Sequence, residues 1–221
     1  WKLNPFGFHL TNTLLHTLNS VLLFFLLKRI FNCQTTSFLA TLIFSCHPVL
    51  TEAVNAISYR EDLLAATFFI AAFLLYMKTS KDERSFSPAY FASVACYLLG
   101  IFSKEMAITL PLLIFLHDLI FTKVQNLSYK LTRYYTGYIL ATIFYLSMRF
   151  VVLHNPVEST VSYPEGSIFV NILTMAKVLA SYVKLFCVPV TLCADYVIPY
   201  STSLFDTSFV VSFFFLVAVI V

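Results

Sequence analysis

Apolar runs close to membrane-spanning length recur along the whole chain, and this feature removes most architectures. A helix needs about 20 predominantly apolar residues, at about 1.5 Å each, to cross a hydrocarbon core about 30 Å thick. Runs near 8–28, 35–50, 63–78, 88–103, 106–122, 134–153 and 167–187 fit that length or fall somewhat short of it, and another begins near 207. None alternates apolar with polar residues, so membrane-spanning strands do not fit. The expected fold class is all-α, a polytopic integral membrane helix bundle with about seven to eight membrane helices in this sequence. Composition agrees: 59% of the 221 residues are hydrophobic and 11% charged, where a soluble domain carries about a quarter charged.

Other classes are excluded more briefly. A net charge of +3 is too small to suggest nucleic acid. Cys33, Cys46, Cys96, Cys187 and Cys193 form no CxxC and pair with no His at metal spacing. No phosphate-binding glycine loop, GxSxG or HExxH is present, so soluble nucleotide chemistry is unsupported. The sequence starts at Trp1 and ends inside an apolar run. We read it as one domain over 1–221, truncated at both ends. Within it, 154–206 is expected to be a lumenal or interfacial segment, and the helix over 167–187 either spans the membrane or lies amphipathically in its interface.

Lys and Arg set the expected orientation. Lys28 and Arg29, then Lys78, Lys81 and Arg84, then Lys123, Lys130 and Arg133 fall on one side if the runs alternate. The opposite loops hold only Lys2, Arg60 and Lys104 among cations, and they receive Glu52, Glu61, Asp62, Glu105, Glu158 and Glu165. The first side is expected to be cytoplasmic. The sequon Asn126-Leu-Ser128 would then lie on that side and stay unmodified.

The stretch HPVLTEAVNAISYRED, 47–62, is the densest polar island on the other side. Pro48 disfavours continuing the preceding helix, and Thr51 can cap a new one. If 52–62 is one helix, Glu52, Asn55, Tyr59 and Asp62 share a face, Arg60 flanks it and Glu61 points away. Glu52 and Asp62 are then roughly 15 Å apart along the axis, too far to chelate one ion. One would act at a site while the other orients a cation or substrate. A solvated interfacial helix would carry the same pattern.

In the first run, His9, Asn12, His16 and Asn19 recur at helical steps. Such a stripe either glues helices together or lines a wet cavity, and His9 stands at its mouth. Lys104 and Glu105 punctuate a tight turn, as site residues or as interface anchors. Arg149 lies within the sixth run about one turn from its end, where a cation can bind a lipid-linked phosphate or snorkel. Lys177 and Lys184 pose the same choice, with Thr174 and Ser181 on their helical face. His117-Asp118 reads as a cap or anchor.

Four stretches then carry a resemblance: NPFGFHLTNTLLHTLNSVLLFFLLKRIF, HPVLTEAVNAISYREDLLAATFFIAAFLLY, LLGIFSKEMAITLPLLIFLHDLIF and VPVTLCADYVIP. In order and spacing they resemble the membrane part of the transmembrane and tetratricopeptide-repeat O-mannosyltransferases and their prokaryotic relatives. Those proteins are similar in turn to the GT-C class of polytopic glycosyltransferases. The resemblance implies transfer of a hexose, mannose first, from a polyprenyl-phosphate sugar donor to Ser or Thr hydroxyls of an acceptor protein or peptide. It implies an endoplasmic reticulum membrane in a eukaryote and the cytoplasmic membrane in a prokaryote. It makes Glu52 and Asp62 the catalytic candidates, positioning the acceptor or a divalent cation. His9, His47, Asn55, Arg60, Lys104, Glu105 and Arg149 become candidates for binding substrate and phosphate. GT-C enzymes usually carry an acidic catalytic residue in a loop ahead of a span like 8–28, and neither that loop nor the tetratricopeptide repeats is in this sequence. A transporter or lipid flippase, or a noncatalytic membrane scaffold, stands as the alternative.

Overall fold

A computed structural model of the chain describes residues 5–79, 87–121, 124–153, 166–190, 192–193 and 196–220, with the side chains of 124–133 and 219–220 left aside. Lys2, Lys81, Arg84, Lys123, Glu158 and Glu165, and the side chains of Asn126, Lys130 and Arg133, lie outside the described residues. Every regular element among the described residues is helical: α1 Pro5–Phe31, α2 Gln34–Cys46, α3 Thr51–Asn55, α4 Arg60–Thr79, α5 Pro88–Ser103, α6 Leu110–Phe121, α7 Val124–Ser147, α8 Ile168–Cys187 and α9 Thr207–Ile220. Two compact units result, Trp1–Asn155 and Pro156–Val221.

Among the described residues, four helical stretches are long and apolar enough to cross a membrane: Pro5–Phe31, Ile57–Thr79, Tyr134–Val152 and Ile168–Cys187. The bent pair Gln34–Cys46 and Pro48–Asn55, angled by 48°, makes five if it counts as one span. The expected seven to eight also included α5 and α9, apolar helices of 16 and 14 residues, and α6 with 12. Large apolar side chains point outward, among them Ile43, Ile120, Leu140 and Ile143, each more than half exposed. That is the surface expected of a bundle solvated by hydrocarbon.

Helix ends follow local chemistry. Asn32 closes α1 at φ 51°, the left-handed conformation that Asn tolerates at a helix end, and donates its N–H to Lys28 O at 3.1 Å. Pro48 stops α2, and His47 Nδ1 accepts the Val49 N–H at 3.3 Å to start the turn Pro48–Leu50. Ser87 accepts the Tyr90 N–H at 3.3 Å with Pro88 in the first turn of α5.

Contacts between helices fix the direction of each. Asn19 reaches Leu63 O at 3.0 Å and Arg29 reaches Met77 O at 2.9 Å, so α1 and α4 are parallel. His16 pairs with Ser45 O at 3.1 Å, which makes α2 antiparallel to α1. Ser93 donates to Ala72 O at 2.5 Å, and Tyr97 pairs with Thr142 at 2.7 Å, so α5 opposes α4 and follows α7. The bundle therefore has two chemically distinct ends. One collects Phe8, Asn12, 47–62, Lys104, Glu105 and Arg149. The other collects Lys28, Arg29, Lys78, Asp118, Tyr134 and Tyr135.

The polar stripe of α1 is mainly a seam. Asn12 and Asn19 are fully buried. Asn12 Nδ2 donates to Val54 O and Ala56 O, each at 3.1 Å, and Asn19 Oδ1 accepts from Thr67 at 2.7 Å. Burying these amides is tolerable because both ends are paired.

The second end is organised by tyrosines. Tyr76, Tyr90, Tyr97, Tyr134 and Tyr138 are buried and meet edge to face, with Tyr97 and Tyr138 centroids 5.5 Å apart. Tyr138 shares a 2.7 Å hydrogen bond with Ser93. Asp118 is not a cap: it is fully buried and accepts hydrogen bonds from Tyr76 and Tyr135. The sequence offers no cap position for it, since three further residues of α6 follow.

In the second unit, α8 carries its polar face inward. Lys177 donates to Pro199 O at 2.6 Å and lies 3.7 Å from Asp206, while Thr174 accepts the Ser201 N–H at 3.2 Å. The segment 199–206 thus covers the first half of the face that suggested an interfacial helix. Hydrogen bonds from the Ser201 hydroxyl and the Ser208 N–H, with Lys177 adding charge, hold the Asp206 carboxyl below its usual range.

Candidate functional site

The expected helix over 52–62 is broken, and the break builds the site. α3 ends at Asn55, and Ala56 is extended at φ −81°, ψ 130°. A short 3-10 turn, Ile57–Tyr59, follows before α4 starts at Arg60. Asn12 fastens the break by taking the two carbonyls at 54 and 56. The axial separation of about 15 Å for Glu52 and Asp62 belonged to a straight helix. With the chain folded at Ala56, the Glu52 carboxylate comes near enough to Tyr59 for its charge to hold the phenol above its usual pKa range.

Lys104 joins this group from α5. Its backbone is extended at φ −154°, which ends α5 and aims the side chain at the start of α4. The ammonium donates to Asp62 Oδ2 at 2.7 Å and lies 3.3 Å from Glu61 Oε1. It also stands over the Tyr59 ring, 5.9 Å from the centroid. The Asp62 hydrogen bond, with Glu61 behind it, holds the Lys104 ammonium above its usual pKa range. Glu61 therefore does not point away from the site, as helical spacing alone suggests. It sits on the same cation as Asp62.

Glu105, one residue on, turns to another partner. It opens the 3-10 turn Glu105–Thr109 and pairs with Arg149. Arg149 lies where α7 widens into a π-helical turn, Met148–Val152, and it donates to Tyr145 Oη at 2.9 Å. Such turns re-aim side chains and recur at functional sites. Arg60 Nε donates to Asn12 Oδ1 at 3.1 Å, and its guanidinium lies 5.3 Å from the Phe8 ring centroid.

Most of the sequence-derived candidates thus meet at one end of the bundle. Glu52, Asp62 and Lys104 form one linked group through Tyr59 and Glu61. Glu105 and Arg149 form a second pair, adjacent in sequence to the first through Lys104. Arg60 braces α1 against the break. His47 half-buries itself as a turn cap, and Asn55 ends α3 with an exposed side chain. His9 is exposed one turn before Asn12, and its ring has no hydrogen-bond partner among the described residues. Sequence reasoning put Tyr59 on the same face as Glu52 and Asp62, read Asn12 as part of the polar stripe of the first run, and did not name Tyr145. Tyr59 was legible as a polar aromatic between two acids, whereas Tyr145 was hidden in an apolar run.

Among the described residues no three His, Cys, Asp or Glu side chains gather as metal ligands would. Asp62 is already engaged by an ammonium. What the arrangement offers is carboxylates and cations in exchangeable pairs, beside apolar surface.

Comparison with known proteins addresses the family. Residues 3–150 match the family described as dolichyl-phosphate-mannose-protein mannosyltransferase. Protein O-mannosyl-transferase TMTC3 of Mus musculus is 40% identical over 84 residues, 38% of this chain and 9% of that protein. Protein O-mannosyl-transferase TMTC4 of Homo sapiens is 36% identical over 124 residues, 48% of this chain and 17% of that protein. Protein O-mannosyl-transferase F38B6.6 of Caenorhabditis elegans is 27% identical over 202 residues, 86% of this chain and 27% of that protein. The chain thus spans only a small part of the length of these relatives. No solved structure matches. The matched stretch contains every residue of the charged end just described, and the chain belongs to the dolichyl-phosphate-mannose-protein mannosyltransferase family.

Proposed function

We propose that this bundle is the donor-handling part of a membrane glycosyltransferase that moves mannose from a polyprenyl-phosphate donor to Ser or Thr hydroxyls of proteins. The site lies on the non-cytoplasmic face, lumenal in a eukaryote. The observation that carries this reading is the meeting of Glu52, Asp62, Lys104, Glu105 and Arg149 at the bundle end opposite Lys28, Arg29 and Lys78. A bundle core has no need of such a cluster, and charge near a membrane is costly enough to require a reason.

The reaction is an inverting displacement. A carboxylate takes the acceptor hydroxyl proton as the oxygen bonds to the anomeric carbon, and the bond from that carbon to the phosphate oxygen breaks. Arg149, Lys104 and Arg60 stabilise the leaving phosphate charge. Asp62 and Glu52 position the acceptor. The family resemblance assigns the general base to a loop ahead of α1.

The test uses the full-length protein, labelled dolichyl-phosphate mannose and a Ser/Thr peptide. Wild type should consume the donor and label the peptide, and Asp62→Asn or Arg149→Ala should suppress labelling. Donor that moves across a bilayer without being consumed would support a transporter instead. Full labelling by both variants would remove these residues from the mechanism.

A further inference from the structure

We propose that a groove between α4 and the turn Glu105–Thr109 seats the isoprenoid chain of a lipid phosphate, and that Lys104 exchanges Asp62 for the phosphate as this ligand enters. The proposal rests on the transferase reading and adds to it a place and an order of binding.

The groove has a volume of about 280 Å³ and is walled by Ala65, Ala66, Phe69 and Met106 among other apolar side chains. Its charged lining is the Asp62–Lys104 pair at one edge. Alanines on α4 leave the space, and Ala107 is held against α5 because Gly100 has no side chain to push it away. An apolar trough with a cation at its edge matches a hydrocarbon chain ending in a phosphate.

Lys104 cannot simply add a phosphate. Its ammonium is shared between two carboxylates, so the group carries net negative charge and repels an anion. The pair is nonetheless open: the side chains of Lys104 and Asp62 are 28% and 35% exposed, and that of Glu61 is 56% exposed. Ion pairs this accessible to water contribute little net stability. A phosphate delivered by a buried chain meets a higher effective concentration than one from solution. It therefore displaces Asp62 from Lys104. Asp62 is then an unpaired carboxylate beside the leaving group, free to accept a hydrogen bond from the acceptor hydroxyl. Donor binding creates the acceptor site, and the resting enzyme keeps that carboxylate occupied.

The experiment measures binding of polyprenyl monophosphate to the full-length protein in phosphatidylcholine nanodiscs, with phosphatidic acid and inorganic phosphate as competitors. Lys104→Met should weaken binding about tenfold or more. Asp62→Asn should tighten it roughly fivefold while transfer is lost, because the competing carboxylate is gone. Ala66→Trp, which fills the groove and touches neither charge, should weaken binding. Unchanged or weaker binding by Asp62→Asn overturns the exchange, and equal competition by phosphatidic acid overturns the isoprenoid assignment. Normal binding by Ala66→Trp overturns the groove. If Asp62→Asn fails to fold, Glu61→Gln on its exposed side chain should tighten binding by a smaller factor, and no change there sinks the idea equally. Wild-type transfer is assayed in the same discs: its absence refutes the transferase reading, whereas its presence with no tightening refutes only the exchange.

Discussion

The Tyr90 hydroxyl occupies the space that a side chain on Gly137 would need. It accepts the Gly137 N–H at 3.1 Å and donates to Tyr134 O at 3.1 Å, so α5 is stitched directly to the α7 backbone. Gly137→Ala should push the ring away and leave buried polar groups unpaired. The expected loss is about 1–3 kcal/mol. Thermal unfolding in detergent reads it, and Tyr90→Phe should lose less because the ring remains.

Asn19 and Thr67 make a buried seam between α1 and α4, at 2.7 Å. Hydrogen bonds between membrane helices average about 0.6 kcal/mol and rarely exceed about 1.7. Asn19→Leu should therefore cost about 0.5–1.5 kcal/mol. It should leave the donor KM unchanged, since the site lies nearer the helix end. A large KM effect with no stability loss would contradict the seam.

Glu105 and Arg149 tie the α5–α6 turn to the end of α7. If Arg149 meets the leaving phosphate, Arg149→Ala should lower kcat about 100-fold, the scale seen when one transition-state donor is removed. Arg149→Lys should recover only part, because an ammonium lacks the planar fork. The exchange Glu105→Arg with Arg149→Glu should restore stability without restoring turnover. Restored turnover would make the pair merely structural.

The Lys104 ammonium titrates above its usual range in the folded protein. A raised folded pKa means its contribution is complete below the ordinary lysine value, about 10.4, and fades as pH rises through the folded one. The stability difference between wild type and Lys104→Met should thus stay flat from pH 7 to 9. It should shrink only above about pH 10.4. A difference that collapses near neutrality would mean that another group controls the pair.

Topology has its own test. With 47–62 on the lumenal face, Asn126 stays unglycosylated in microsomes, whereas a sequon engineered just before α1 is modified. Endoglycosidase treatment reads both from gel mobility, and the opposite pattern inverts the bundle.

Much of this was legible in the sequence because lipid imposes few solutions. Apolar runs located α1, α4 and α8 within a few residues of their ends, whereas α7 starts at Val124, well before the run at 134–153. The charged end followed from loop parity, since Lys28 and Lys78 were far from Asp62 in any alternating path. What stayed hidden were contacts made by residues distant in sequence. Nothing near Glu61 announces Lys104, and nothing near Asp118 announces Tyr76. The break at Ala56 was also invisible, because no proline or glycine marks it. Asn12, 44 positions away, supplies the hydrogen bond that makes it affordable.

The two ends of the bundle are fastened by different kinds of joint. At the tyrosine end the ties are buried, neutral and short, as in the Ser93 bonds to Ala72 and Tyr138. At the charged end they are water-reached ion pairs such as Lys104 with Glu61. A structure clamped at one end and loosely tied at the other behaves as a set of cantilevers. Small tilts of α4 and α5 about the tyrosine clamp become the largest displacements at Asp62 and Lys104.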